Sequence, residues 1–476
     1  MMRTIVLFIV LLSGLAMSSM SSAVGRADAA MISLIQQAQL ISLVEPREPF
    51  VFYQQRLETE SESNAQPVFD SLSKPEFYEL ATAIADFWQR HGIAIRAPQS
   101  IHDPDIFTAV MALEPEVDGY LQLNNRIRYL TWLAKQHQWR PLHFIGLLKP
   151  GQSASIVPEI TERLMWLRDY SAEYDPASSS KVDYYDDTLR SAVMRFQWRH
   201  GLKQDGIIGP DTIRWLNRTP LERAKLLAFN FIERAQYMSH VGDRYLLINI
   251  PAYEMVLVDG AQIALRSKVI VGKPYRQTPI LKGEISNLVL NPSWNVPRKL
   301  VKYDLLPKVR QDGGYLSRRN FQAFNYDGQL VTKTPQEWSD VARGRFPYRL
   351  VQKPGVGNTL GRYKFFFENP YSVYLHDTSD KGLFARSDRA LSSGCIRIEK
   401  VEQLANWMAS YLVSDKQTWV DMQIERNKTQ WFAFDHKLPI HLVYWTSWLD
   451  GQNIAQFRDD IYNRNQNITA TLHAKY

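Results

Sequence analysis

Cys395 is the only cysteine in 476 residues, and it sits in the stretch Leu391-Ser392-Ser393-Gly394-Cys395-Ile396-Arg397. A thiol that acts as a nucleophile needs a base to take or share its proton, donors aimed at the oxyanion formed on attack, and a place on a sharp turn. Gly394 supplies the turn and lets a substrate approach the backbone. The small residues before it leave the N–H groups of Gly394 and Cys395 uncovered as oxyanion donors. The base must be a histidine, and His376 is the one that fits, since it closes the alternating run Ser372-Val373-Tyr374-Leu375-His376 and so should stand rigidly at a strand end. Pairing with imidazole lowers a thiol pKa from its ordinary ~8.5 by units, which allows the chemistry without a metal. A buried inert thiol and an intermolecular bridge are the other fates open to a lone cysteine.

The rest of the chain bounds the setting. Met1-Met2-Arg3 leads into an apolar run that ends in small residues and Ala27-Asp28-Ala29, the order of a secretory signal with cleavage near Ala29. An uncleaved inner-membrane anchor is the alternative, although the run is shorter than the roughly 20 residues that span a bilayer. The mature chain is therefore expected to be soluble on the far side of a membrane, in an oxidising compartment where an unpaired thiol is a liability unless it is used. Apolar residues make up 45% and aromatics 12%, which excludes disorder and predicts filled cores. The modest net charge of +7 could favour nucleic acid, anionic lipid or an anionic wall polymer, and export favours the last. One cysteine excludes a disulfide framework and multi-cysteine metal sites. His91, His102, His137 and His143 are scattered, and His436 and His441 share no evident face or third ligand, so no metal and no cofactor is expected.

The expected fold class is α+β and multidomain: a mainly β catalytic domain, a helical N-terminal scaffold and a small three-helix module. Segment 1–29 reads as the signal, 30–144 as the scaffold, 145–218 as the module, 219–243 as a linking helix and 244–476 as the β domain with C-terminal strands. In the scaffold, Ser73 with Glu76 forms a capping box, and Phe77, Leu80, Ala81, Ile84 and Trp88 recur at helical spacing until Gly92. Leu123, Ile127, Leu130 and Leu133 mark a second helix. In the module, Leu189, Ala192, Val193 and Phe196 share a face, and Pro210 opens the helix that carries Ile213 and Leu216. Beyond residue 244 the period changes to two, with short runs separated by Pro251 and Asp259-Gly260. Residues 299–349 are irregular, basic and aromatic, and are expected to be a lid-like insertion. Pro439 should confine the strand that carries it to an edge or to its own first residues.

Two resemblances sharpen this reading. Phe196-Gln197, His200-Gly201-Leu202, Asp205-Gly206, Ile208-Gly209-Pro210 and Leu216-Asn217 closely resemble the pattern of the small peptidoglycan-binding module. His376 followed by Ser392-x-Gly394-Cys395 and Arg397, together with the stretches at 352–365 and 374–378, resembles the signature of the L,D-transpeptidase catalytic domain. The arrangement as a whole is similar to the large periplasmic members of that family in Gram-negative bacteria. One position departs, because Ser393 stands where the motif usually has histidine, leaving His376 as the only imidazole in it.

The resemblance implies attack by Cys395 on a stem tetrapeptide donor at the bond between its diamino acid and terminal D-Ala. A thioester forms, D-Ala leaves, and the side-chain amine of an acceptor stem resolves the thioester into a 3-3 cross-link. It implies acylation by carbapenems as well. Arg397 is then a candidate to hold a substrate carboxylate or to brace the loop with a salt bridge, and Tyr374 to line the donor pocket or pack in the core. Ser392, Ser393 and Asn358 complete the candidate substrate-binding set, with loop shaping as the other role open to Asn358. Peptidoglycan stem peptides and glycan are the expected partners, with penicillin-binding proteins or other wall-synthesis proteins beside them, no nucleic acid, and a monomeric chain. Hydrolysis by the same fold, whether as an L,D-carboxypeptidase or on 3-3 or lipoprotein links, and a non-catalytic wall-binding scaffold are the alternatives.

Overall fold

The computed structural model describes residues 21–62, 74–101, 103, 105–170 and 183–465. Most of the leader expected over 1–29, and the Ser73 cap, lie outside these residues. Among them, no helix is long and apolar enough to cross a membrane.

Helices come first: α1 (Ser21–Val44), α2 (Phe50–Glu62), α3 (Lys74–Arg90), α4 (Ile106–Ala112) and α5 (Tyr120–Gln136). Each buries the stripe its period of 3.6 predicts: Leu80, Ala81, Ile84 and Trp88 of α3 are wholly buried, as nearly are Leu123, Ile127, Leu130 and Leu133 of α5. Gly92, with φ 65°, takes the left-handed conformation that ends α3. The module is α6 (Val157–Trp166), α7 (Asp187–Arg199) and α8 (Pro210–Asn217), with Pro210 in the first turn of α8. Next, α9 (Pro220–Met238) opens on a capping box between Thr219 and Glu222.

The strands follow as β1 (Arg244–Asn249), β2 (Glu254–Asp259), β3 (Gln262–Gly272), β4 (Leu281–Leu290), β5 (Trp294–Asn295), β6 (Phe321–Phe324), β7 (Leu330–Val331), β8 (Arg349–Gln352), β9 (Tyr363–Phe367), β10 (Leu375–His376), β11 (Ala390–Ser392), β12 (Ile396–Ile398), β13 (Gln430–Val443), β14 (Ser447–Leu449) and β15 (Ala455–Phe457). Nine of them form one sheet in the order β11-β3-β12-β10-β9-β4-β13-β1-β2, and β2 also pairs with β3, so the sheet closes on itself. Closure through β2 and β3 leaves the three-residue β11 as the edge strand and holds a core that includes Leu375, Ile396, Ile398, Phe365 and Phe367. The helix Val401–Leu412 buries Leu404, Ala405 and Met408 against the same core.

Three expectations change. Pro439 is neither at an edge strand nor at a strand start: it stands inside the 14-residue β13, opposite Glu284 of β4. The ladder to β1 begins only at Ile440, so the missing proline N–H costs no bond on that side. Segment 299–349 is not irregular. It belongs to a folded subdomain with its own four-stranded sheet, β5-β8-β6-β7, around Trp294, Val309, Leu316, Trp338 and Leu350. Two-residue strands carry too little alternation to be read from sequence. Of the C-terminal strands, only β13 joins the closed sheet. β14 and β15 pair with each other, and Ala455 and Phe457 join the core shared by the helical scaffold and the module.

Candidate active site

β10 lies between β9 and β12, antiparallel to the first and parallel to the second. The registers His376↔Lys364 and His376↔Arg397 place three residues in one row across three strands. The neighbouring row holds Tyr374 and Cys395, whose main chains are joined by the Ile396 N–H donating to the Tyr374 carbonyl at 3.0 Å. Alternation sends Phe365, Leu375, Ile396 and Ile398 to the core and leaves Lys364, Tyr374, His376, Cys395 and Arg397 on the opposite face. That face is overlaid by the subdomain, since Tyr374 packs on its core and the Trp294 indole reaches the Tyr374 hydroxyl.

His376 is buried, and its Nδ1 lies 2.5 Å from the Asp377 carbonyl. A carbonyl only accepts, so Nδ1 carries the hydrogen and Nε2 keeps the lone pair that a base requires. Desolvation, and after it the Arg397 charge, pulls the imidazole pKa down to about 3, with Lys364 adding in the same direction. Burial pushes the Cys395 thiol above its ordinary range, and the Tyr374 N–H and hydroxyl with the charges of Lys364 and Arg397 offset part of the rise. At rest both groups are neutral. No hydrogen bond joins imidazole and thiol among the described residues.

The turn before the thiol is over-determined. Ser392 Oγ donates to the Cys395 carbonyl at 2.6 Å and accepts from the Gly394 N–H at 3.1 Å. Thr278 Oγ accepts from the Gly272 N–H and donates to the Gly394 carbonyl, both at 2.8 Å. Gly394 has φ 113°, a conformation that side-chain-bearing residues rarely adopt. At Gly272 a Cβ would lie 2.1 Å from the Arg276 carbonyl oxygen, so the loop after β3 can sit against the nucleophile turn only over glycine. On the rim, Arg276 donates to Ser393 Oγ at 2.9 Å and pairs with Asp304 of the subdomain at 2.6 Å. Ser393, where the motif departs from its usual histidine, is thus the point at which the nucleophile loop is tied to the overlying subdomain.

Several expected roles are corrected by these contacts. The Gly394 N–H is already donated to Ser392 and is no free oxyanion donor, which leaves the Cys395 amide for that role. Ser392 is buried and spends its hydroxyl on the turn instead of on substrate. Asn358 is buried too; its amide donates to the Pro292 and Lys353 carbonyls and its oxygen accepts from Leu360 N–H, so it shapes its loop and does not face substrate. Tyr374 and Arg397 stand beside the thiol, and among the described residues no salt bridge braces Arg397, whose Nε is buried without a partner there. Lys364, Arg276, Thr278 and Asp304 were not singled out by the sequence. Lys364 alone gave a signal, as the one charge in the aromatic run Tyr363–Phe367. The other histidines stay scattered: His91 lies 3.7 Å from Glu45, His137 stacks on Trp166, and His441 Nδ1 meets the Tyr237 hydroxyl at 2.8 Å. His102 lies outside the described residues.

Residues 243–422 match the family model of the YkuD L,D-transpeptidase catalytic domain, and residues 153–216 match that of a candidate peptidoglycan binding domain. A candidate L,D-transpeptidase of Haemophilus influenzae is 35% identical over 227 residues, which are 47% of this chain and 45% of that protein. The chain thus spans about half the length of the curated relative it matches. A solved L,D-transpeptidase of Xylanimonas cellulosilytica has 13% identity and a TM-score of 0.18, with 64% of this chain and 100% of that one covered. One from Stackebrandtia nassauensis has 11% identity and a TM-score of 0.21, with 64% and 97% covered. The chain carries an L,D-transpeptidase catalytic domain joined to a peptidoglycan-binding domain.

Proposed function

We propose that the protein is an exported, periplasmic cysteine L,D-transpeptidase that forms 3-3 cross-links in peptidoglycan. The observation that carries this reading is the face shared by Cys395, Tyr374, His376 and Arg397, with Nε2 of His376 holding a lone pair and the thiol on a turn fixed by Ser392 and Thr278.

In the reaction, Cys395 Sγ attacks the carbonyl between the diamino acid and the terminal D-Ala of the donor stem. His376 Nε2 takes the thiol proton as the C–S bond forms, and the Cys395 amide receives the developing oxyanion. As the C–N bond breaks, the same proton passes to the departing D-Ala amine. The acceptor's side-chain amine then attacks the thioester and gives its proton to His376, which returns it to the departing thiolate. Arg397 holds a substrate carboxylate, and the binding module keeps the chain on its polymer.

The test is incubation with purified disaccharide-tetrapeptide, with products weighed by mass spectrometry for the wild type and Cys395→Ala. Cross-linked dimers with loss of D-Ala are expected from the wild type alone. Tripeptide without dimer would replace the reading with L,D-carboxypeptidase activity, and dimer from the variant would remove Cys395 from its role.

A further inference from the structure

Resting on the reading above, we propose that Lys364 and Arg397 together form a cradle for the free terminal carboxylate of the donor stem, and that Lys364 makes this carboxylate a requirement for turnover. The two cations flank His376 in one row, one from β9 and one from β12, with about 4.8 Å between neighbouring strands. Both are partly buried, and neither forms an ion pair with a carboxylate among the described residues. The Arg397 Nε–H is buried without any acceptor. Lys364 Nζ stands 4.2 Å from the Tyr374 ring centroid, which orients it toward the thiol's side of the row.

The nearby acids do not fill the gap. Asp377 accepts from the N–H groups of Arg362 and Thr378 and is paired with Lys381. Asp380 acts on Arg397 only at a distance. Two half-buried cations around a neutral imidazole cost desolvation that an anion would repay, and the row has the polarity of an empty anion site.

The donor brings such an anion. Its scissile carbonyl and its terminal carboxylate are separated by a single D-amino acid, so a carbonyl held at Cys395 places the carboxylate within one residue of the thiol. The next row along the strands lies about 6.6 Å away, which that residue can span. A carboxylate seated there also offsets the two charges that disfavour imidazolium, so His376 gains basicity as the correct donor arrives. A stem lengthened by one further residue carries its carboxylate past the row and leaves both cations unpaired.

The experiment compares two donors, the disaccharide-tetrapeptide as the free acid and the same molecule as its C-terminal carboxamide, on the full chain. For the wild type, kcat/KM for the acid should exceed that for the amide by about tenfold or more. In Lys364→Gln that ratio should fall toward one, because the acid donor loses more than the amide does, and Lys364→Arg should restore the ratio. Equal use of both donors by the wild type, with dimer still formed, overturns the cradle and leaves the proposed function standing. A Lys364→Gln loss of equal size on both donors overturns it as well, because that is the signature of a purely structural lysine. Release of D-Ala or its amide from neither donor overturns the function and the cradle together.

Discussion

At the scale of single residues, the site is a set of groups held away from the charge states they need during reaction. His376 is neutral because burial and two flanking cations oppose imidazolium, and Cys395 is a thiol because burial opposes thiolate. The module contains a second such imidazole: His200 is buried between Phe196 and Phe457, with Nδ1 2.6 Å from the Phe196 carbonyl, and burial holds its pKa well below the ordinary value. Both histidines bind a proton more readily unfolded, near pH 6.5, than folded. The unfolded state therefore takes up protons first as pH falls, and folding stability is lost from about pH 6.5 downward. Each should remove up to about 1.4 kcal/mol per pH unit within that window. Denaturant unfolding at pH 7 and pH 5 checks this; a flat profile, or a slope unchanged in His200→Gln, would contradict it. Cys395, His376 and the departure at Ser393 were legible in the sequence because their chemistry is local: a glycine turn, a strand-ending histidine and a short motif. Lys364 was not, because its meaning comes from a cross-strand register that no local spacing records.

At the scale of elements, the loop after β3 holds the nucleophile turn from outside the motif. Thr278 reaches the Gly394 carbonyl, and Arg276 joins Ser393 to Asp304 of the subdomain. The Arg276–Asp304 pair is part-exposed, so its contribution to stability is about 1 kcal/mol or less. Its contribution to activity should be larger, since a displacement of roughly 1 Å at a reacting group can cost 10²-fold. Asp304→Asn and Arg276→Lys should each leave the melting temperature within about 3 °C of the wild type while lowering kcat/KM for the donor about tenfold. Unchanged kinetics in both variants would reduce this bridge to surface decoration. The helices of the scaffold and the module were readable from their apolar periods, as in α3 and α7, and the long strands from alternation. The subdomain was not, because β5 and β7 are two residues each and its order comes from a small core assembled over residues 294–360.

At the scale of the whole molecule, the chain does not divide as its sequence texture suggests. After β13 completes the closed sheet, β14 and β15 cross to the helical half, where Phe457 stacks on His200 and joins the core built by the scaffold and the module. The turn before β15 is polar and its strands are short, so nothing local in the sequence marks this return. Phe457 is almost wholly buried, and Phe457→Ala should cost about 3–5 kcal/mol and lower the unfolding transition of the helical half. A shift confined to the catalytic domain's transition would show that the strand pair does not couple the two halves. The module thereby packs against the strand pair that follows β13, and under the proposed function that contact would link the polymer-binding part of the chain to the part that acts on the stems. In the proposed reaction the donor stem passes covalently through Cys395. Rapid acid quench of the full chain mixed with disaccharide-tetrapeptide, followed by peptide mass mapping, measures it directly. A hydroxylamine-labile adduct, the mass of the donor less D-Ala, is expected on the peptide that contains Cys395 and should be absent from Cys395→Ala. An unmodified Cys395 peptide during active turnover, or an adduct that persists in the variant, would contradict it.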